Sequence, residues 1–222
     1  MAVADPTLRT EGALKREGAR FVIGCDEVGR GAIAGPVAVG LSLIETKIRR
    51  FPPGLRDSKM LSEKRREELA PIAASWSLFS SVGLASAFEV DSIGIIAALG
   101  RAGARALQLL REASAPLEEA VILLDGSHDW LTLHAQNAPP VRTRIKADRD
   151  CASVAAASVI AKVHRDRIMI AAADTTPGYG WAANKGYASK AHFDALDVLG
   201  PSVWHRHTWL HDRDAPALFE LG

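Results

Sequence analysis

Arg20-Phe21-Val22-Ile23-Gly24-Cys25-Asp26-Glu27-Val28-Gly29-Arg30-Gly31 is the stretch on which the fold turns. Its first half is apolar and runs into turn residues, the pattern of a buried strand. Two adjacent carboxylates, Asp26 and Glu27, stand where that strand ends. An unpaired ionised carboxylate is strongly disfavoured away from water, so this pair implies a cation, a hydrogen-bond network or a shifted pKa. Hard divalent metals are held by such oxygens. The Gly29-Arg30-Gly31 turn lets backbone N–H groups approach a ligand, and Arg30 can pair with a phosphate. Together these features suggest phosphoryl chemistry. A solvated strand end followed by a tight turn is the competing reading, and six residues do not decide between the two.

Two nucleotide-binding motifs fail here. Gly24 and Gly29 have the spacing of a Walker A loop, but Arg30-Gly31 replaces its Lys-Ser/Thr. Gly29, Gly31 and Gly35 are one residue too widely spaced for a dinucleotide fingerprint.

The chain has 222 residues, 48% hydrophobic and 24% charged, as expected for one globular domain. A formal charge of +1 excludes a global basic field, so any nucleic-acid footprint must be local. One such patch exists, with seven Lys/Arg against three Asp/Glu between Arg142 and Arg167. There is no apolar run of membrane-spanning length, and the first twenty residues have no apolar signal core. Cys25 and Cys151 form neither a disulfide framework nor a zinc pattern and read as buried thiols. A cytoplasmic protein without membrane contact is expected.

Residues 1–19 read as a polar leader, 20–210 as the folded domain and 211–222 as a tail. Strands are predicted at 21–26, 35–44, 78–85, 121–124 and 141–146, the first two as antiparallel neighbours. Ser62 is an expected N-cap, and one long helix is predicted over 90–110. Asp148 opens an alanine-rich helix whose small residues allow close packing on a sheet. Residues 177–187 form a loop, followed by a short helix over 189–199 and a His-rich irregular end.

Asp125-Gly126 repeats the theme of Asp26, a carboxylate at the carboxyl end of an apolar strand. Ligands in open α/β sheets gather there, so two such ends can converge on one metal. Read alone, Asp125 also fits an ordinary turn and Asp148 a helix N-cap. Asp166 lies far along the helix and reads as an ion-pair partner of Arg165 or Arg167. Lys162, in an apolar-rich stretch, can satisfy a buried acid.

With these motifs in order, the chain resembles the ribonuclease HII family. The resemblance runs from about Phe21 to His205. It is carried by Gly24-Cys25-Asp26-Glu27-Val28-Gly29-Arg30-Gly31, Ala34-Gly35-Pro36-Val37, Asp57-Ser58-Lys59, Asp125-Gly126 and Lys146-Ala147-Asp148. Further on come residues 155–163 with Arg165-Asp166, Pro177-Gly178-Tyr179-Gly180, Asn184-Lys185-Gly186-Tyr187 and Gly200-Pro201-Ser202. The resemblance implies an α/β, RNase H-like fold, with a central mixed five-stranded sheet, three strands antiparallel and then two parallel, and a helical carboxyl-terminal part.

It also implies a catalytic and metal site of Asp26, Glu27, Asp125 and Asp148, holding two Mg²⁺ or Mn²⁺ ions. Gly29, Arg30, Gly31, Lys59 and Tyr187 are the implied substrate contacts, with Tyr187 stacking on the deoxyribose beyond a ribonucleotide. The implied substrates are RNA–DNA hybrids and duplex DNA containing ribonucleotides, cut to leave 3′-hydroxyl and 5′-phosphate ends. A monomer is expected, with Leu218-Phe219 as a candidate sliding-clamp contact. Met60 and His207-Thr208-Trp209 depart from the family pattern, Trp209 reading as a core plug. A ribonuclease HIII-like enzyme is disfavoured by the short leader, a non-catalytic module by the presence of all four carboxylates, and a phosphotransferase by the failed Walker A match.

Overall fold

The structure is a computed structural model and describes residues 5–210. Helix α1 (Arg9–Arg16) leads into β1 (Phe21–Val28) and β2 (Val37–Glu45). Helix α2 (Glu63–Trp76) precedes β3 (Phe79–Ala85), and α3 (Ala87–Ile93) and α4 (Ile95–Glu112) carry the chain across to β4 (Ala120–Asp125). After β5 (Val141–Arg144) come the single turn α5 (Ala147–Asp150), the long α6 (Ala152–Thr175), the single turn α7 (Trp181–Asn184) and α8 (Lys190–Leu199).

The five strands lie in the order β3-β2-β1-β4-β5. The β1–β2 and β2–β3 pairs are antiparallel, while β1–β4 and β4–β5 are parallel, as the resemblance implies. Alternation along β1 divides its side chains between two cores. Phe21, Ile23 and Cys25 join Leu99, Leu107 and Leu110 of α4 on one face. Val22 packs on the other with Leu123, Cys151 and Val154.

The α6 face is unusually close to the sheet. A Cβ at Gly24 would lie 2.2 Å from the Ser153 backbone, and one at Gly40 would lie 2.4 Å from the Ala157 carbonyl oxygen. Gly40 sits opposite Asp26 in the β1–β2 ladder. The alanine-rich sequence of α6 is thus the complement of two strand glycines.

Four expectations change. The region read as a polar leader contains α1, whose Leu14 is buried. Thr7 bridges to Cys151, and the buried Glu11 accepts from the Ser153 N–H at 3.0 Å and its hydroxyl at 2.8 Å. Glu11 therefore supplies, from far along the chain, the side-chain cap that α6 lacks. The helix predicted over 90–110 is two helices, because Gly94 takes φ +77° between them. Asp148 does not open the alanine-rich helix. Lys146 adopts a left-handed conformation, α5 forms one turn containing Asp148, and extended Cys151 separates that turn from α6. Trp209 is half-buried, at the rim of the α4-side core and beneath the Arg206 guanidinium at 4.8 Å. Leu218-Phe219 lies outside the described residues.

Gly24→Ala should destabilise the fold by about 1–3 kcal/mol or more, because the added methyl meets backbone that cannot rotate away. Urea unfolding monitored by circular dichroism measures this. An unchanged midpoint would show that α6 can retreat without cost.

Candidate active site

The parallel β1–β4 register pairs Cys25 with Leu124, so Asp26 and Asp125 are neighbours one residue further on. Asp125 Oδ1 accepts from the N–H groups of Ala147, at 2.6 Å, and Asp148, at 3.4 Å. It thereby holds the α5 turn that carries the third carboxylate. One oxygen from each of Asp26, Asp125 and Asp148 lies within 4.8 Å of the others.

Glu27 is outside that trio because adjacent strand residues project to opposite faces. Its Oε1 accepts from Arg30 Nη1 at 3.3 Å. Asp26 and Glu27 nevertheless line one cleft of about 490 Å³ with Gly29, Arg30, Gly31, Lys59 and Tyr187. Lys59 stands on a short 3₁₀ turn capped by Asp57 and donates to Asp148 Oδ2 at 3.3 Å.

The electrostatics are those of a cluster short of positive charge. Burial, and then the Glu27 charge, push the Asp26 carboxyl well above the usual carboxylate range. Burial raises Glu27 against the pull of Arg30, and burial with Asp148 raises Asp125 against its two N–H donors. Burial opposes the Lys59 charge, yet Asp26, Asp57 and Asp148 outweigh it and raise the ammonium above its ordinary value. Asp26 Oδ2 and Glu27 Oε2 are buried without a hydrogen-bond partner. Orphaned carboxylate oxygens beside a convergent trio suit a hard divalent cation, which takes oxygen ligands and offsets the mutual repulsion.

The opposite wall of the cleft depends on two buried arginines. Arg206 donates to the carbonyls of Gly29 at 2.7 Å, Arg30 at 2.9 Å and Gly35 at 3.2 Å. Arg165 donates to Pro36 at 2.8 Å, Lys185 at 2.9 Å and Ala34 at 3.0 Å. Gly29, at φ +81°, is pressed so closely on Arg165 that a Cβ would lie 2.1 Å from its Nε. Among the described residues, the N–H groups of Arg30 and Gly31 have no hydrogen-bond acceptor. The half-buried Tyr187 ring has Arg165 Cζ at 5.3 Å and Lys162 Nζ at 5.4 Å.

Sequence reasoning missed the work of Arg165 and Arg206. A charged residue deep in an apolar helix was the available signal for Arg165. The expected Asp166 pairing is corrected: Asp166 binds Lys162 at 2.5 and 2.7 Å, one helical turn away, whereas Arg167 pairs with Glu67. At the departure from the family pattern, Asp91 accepts from the His207 and Thr208 N–H groups and from the Thr208 hydroxyl.

A mixed sheet with carboxylates converging at its parallel strand ends is a site suited to a hard divalent cation. The family model for ribonuclease HII matches residues 23–211. The ribonuclease HII of Streptomyces griseus subsp. griseus is 45% identical over 215 residues, covering 95% of this chain and 86% of its own. The ribonuclease H2 structure from Pyrococcus horikoshii OT3 superposes with a TM-score of 0.63 at 24% identity, over 86% of this chain and 94% of that one. The Archaeoglobus fulgidus RNase HII, solved in a PCNA complex, gives a TM-score of 0.63 at 26% identity over 85% and 95%. This chain belongs to the ribonuclease HII family. It is a metal-dependent ribonuclease H of type 2, hydrolysing RNA in RNA–DNA hybrids. Among the described residues, no helix is long and apolar enough to cross a membrane.

Asp26→Asn should abolish turnover yet raise the melting temperature of the metal-free protein. A gain of about 1 kcal/mol corresponds to roughly 2–4 °C in a chain of this size. The native Asp26 pKa lies above its unfolded value. Between the two, the native state binds more protons, so this group's contribution to metal-free stability falls as pH rises. Calorimetry at pH 5 and 7.5, with chelator, should therefore show wild type losing more stability than the variant on going to the higher pH. A variant that melts lower than wild type without metal would contradict the reading of Asp26 as an uncompensated buried charge.

Proposed function

We propose that this enzyme cuts on the 5′ side of a ribonucleotide, including a single one embedded in duplex DNA, and leaves 3′-hydroxyl and 5′-phosphate ends. The observation that carries the reading is the shared cleft, where Asp26 and Glu27 face the Gly29-Arg30-Gly31 turn and Tyr187. Asp26, Glu27, Asp125 and Asp148 would hold two divalent cations, Mg²⁺ or Mn²⁺. Such ions supply an acidified water, neutralise charge on the phosphate and stabilise the leaving oxygen.

The protein's own groups account for positioning and selectivity. The free N–H groups of Arg30 and Gly31 are suited to a phosphate and to the 2′-hydroxyl that distinguishes RNA from DNA. Arg30 is exposed and can meet the backbone, while Lys59 delivers a cation beside Asp148. Tyr187 offers an aromatic face to the sugar beyond the ribonucleotide, where a 2′-hydroxyl fits worse than hydrogen. Such an enzyme would serve ribonucleotide removal from DNA as a cytoplasmic monomer. The PCNA complex of the Archaeoglobus fulgidus relative supports a clamp contact here as well.

A duplex with one embedded ribonucleotide, incubated with and without Mg²⁺, tests the reading. Nicking should require metal and leave a 5′-phosphate on the ribonucleotide-containing fragment. Metal-independent cleavage, or a 2′,3′-cyclic phosphate, would identify the ribose hydroxyl as nucleophile and sink the proposal.

Asp125→Asn should likewise lose nearly all turnover while still binding duplex in a mobility-shift assay. Tyr187→Ala should lower kcat/KM at the single ribonucleotide by about 10–100-fold, the equivalent of one stacking contact, and lower hybrid cleavage less. Arg30→Ala should weaken both substrates alike, since a phosphate contact positions without discriminating. Equal losses on both substrates for Tyr187→Ala would move junction recognition elsewhere.

A further inference from the structure

His192 of α8 and His205 of the carboxyl-terminal segment are both buried, and their hydrogen-bond partners determine where every ring proton lies. His192 Nδ1 is 3.0 Å from the Tyr187 carbonyl oxygen, which can only accept, so Nδ1 carries a hydrogen. His192 Nε2 is 3.0 Å from Trp181 Nε1, an indole N–H that can only donate, so Nε2 is bare. The His192 ring is therefore neutral. His205 Nδ1 is 2.9 Å from the Ser202 N–H, a donor, so that nitrogen is bare. The hydrogen of His205 then sits on Nε2, 3.1 Å from the His192 Nε2 lone pair, which it shares with the Trp181 N–H.

A second proton on either ring would break bonds in this arrangement, the Ser202 hydroxyl at 3.0 Å being the one neighbour able to accept from His205 Nδ1. A proton on His205 Nδ1 would oppose the Ser202 N–H, and one on His192 Nε2 would oppose both Trp181 and His205. The surroundings agree. Tyr179 and Trp181 rings lie 4.7 and 5.4 Å from His205, and no carboxylate bonds either imidazole. Burial lowers both pKa values and takes His205 to about 4.

The output of this relay is the Tyr187 backbone. On its other side the same loop is held by Gly186, whose carbonyl accepts from the Ile33 N–H at 3.0 Å and the Ala34 N–H at 3.1 Å. A Cβ at Gly186 would lie 2.4 Å from the Ala34 carbonyl oxygen. The tyrosine is thus fixed between the segment following the Gly29-Arg30-Gly31 turn and the histidine pair.

We propose that His192 and His205 are positioning residues for Tyr187, a neutral pair in fixed tautomers that sets the tyrosine ring in the cleft and so governs discrimination at the RNA–DNA junction. The discrimination rests on the role given to Tyr187 above, whereas the positioning does not.

The test uses the full chain with ¹⁵N-labelled histidine and ¹³C-labelled tyrosine. Histidine nitrogen shifts should report Nδ1–H for His192 and Nε2–H for His205, with neither ring titrating between pH 5 and 8. The chain has only two tyrosines, so the Tyr187 ring signal can be assigned with Tyr187→Phe. In His192→Gln, whose amide reaches the Nε2 position, that signal should shift and kcat/KM at a single ribonucleotide should fall about tenfold. Hybrid cleavage should change little. His192→Asn, whose amide can replace the Nδ1 donor, should restore both the ring signal and the selectivity. The opposite tautomers, titration of either ring with a midpoint between pH 5 and 8, or an unmoved Tyr187 signal in a folded His192→Gln would overturn the positioning. A moved signal with equal losses on both substrates would retain the positioning and overturn its role in discrimination. If Tyr187→Ala itself shows no selectivity, the failure belongs to the reading of Tyr187, and the ring signal alone decides the role of the histidines.

Discussion

Helix α6 lies against β1 and β2 at a distance that only glycine and alanine permit, and the arrangement of the site follows from that contact. Gly24 and Gly40 leave no side chain between sheet and helix, and a Cβ at Gly40 would also lie 2.8 Å from that of Ala161. From this position α6 sends Ser158 toward Asp26 and Arg165 toward three carbonyls, and places Lys162 beside the Tyr187 ring. A helix displaced by one methyl layer could not do all of these at once. Dense interiors transmit such displacements rather than absorb them.

Buried charge is handled in two different ways on the two sides of the cleft. The carboxylate side keeps oxygens without donors, a costly arrangement in the protein alone that a divalent cation would relieve. On the other side, the guanidinium groups of Arg165 and Arg206 bond to backbone carbonyls of Gly29, Arg30, Ala34, Gly35, Pro36 and Lys185. Carbonyls spend no opposing charge, so burial lowers Arg206 to about 9 and also lowers Arg165. The gain is geometric: the carbonyls are drawn inward, and among the described residues the N–H groups of Arg30 and Gly31 are left without acceptors.

The segments outside the central sheet are tied into the same unit. Helix α1, in a region that composition marks only as polar, caps α6 through Glu11, and Thr7 just ahead of that helix bridges to Cys151 beside the Asp148 turn. Asp91 of α3 collects the N–H groups of His207 and Thr208, so the segment that departs from the family pattern is anchored rather than loose. Short-range sequence pattern records neither tie, since the partners are separated by more than a hundred residues.

The sequence by itself determined the strands, their polarity as the family resemblance implied it, and the strand-end positions of Asp26 and Asp125. These are local properties: an apolar run, a period of two and a terminating carboxylate are written within ten residues. Tertiary structure alone decided that Asp148 sits in a separate turn held by Asp125, that the buried acid Lys162 satisfies is Asp166, and that two arginines gather the carbonyls behind the Gly29-Arg30-Gly31 turn while two histidines pair behind Tyr187. The reason is physical. Those contacts run largely to backbone groups or to side chains on distant segments, and a backbone carbonyl has the same chemistry at every position until the fold aims it.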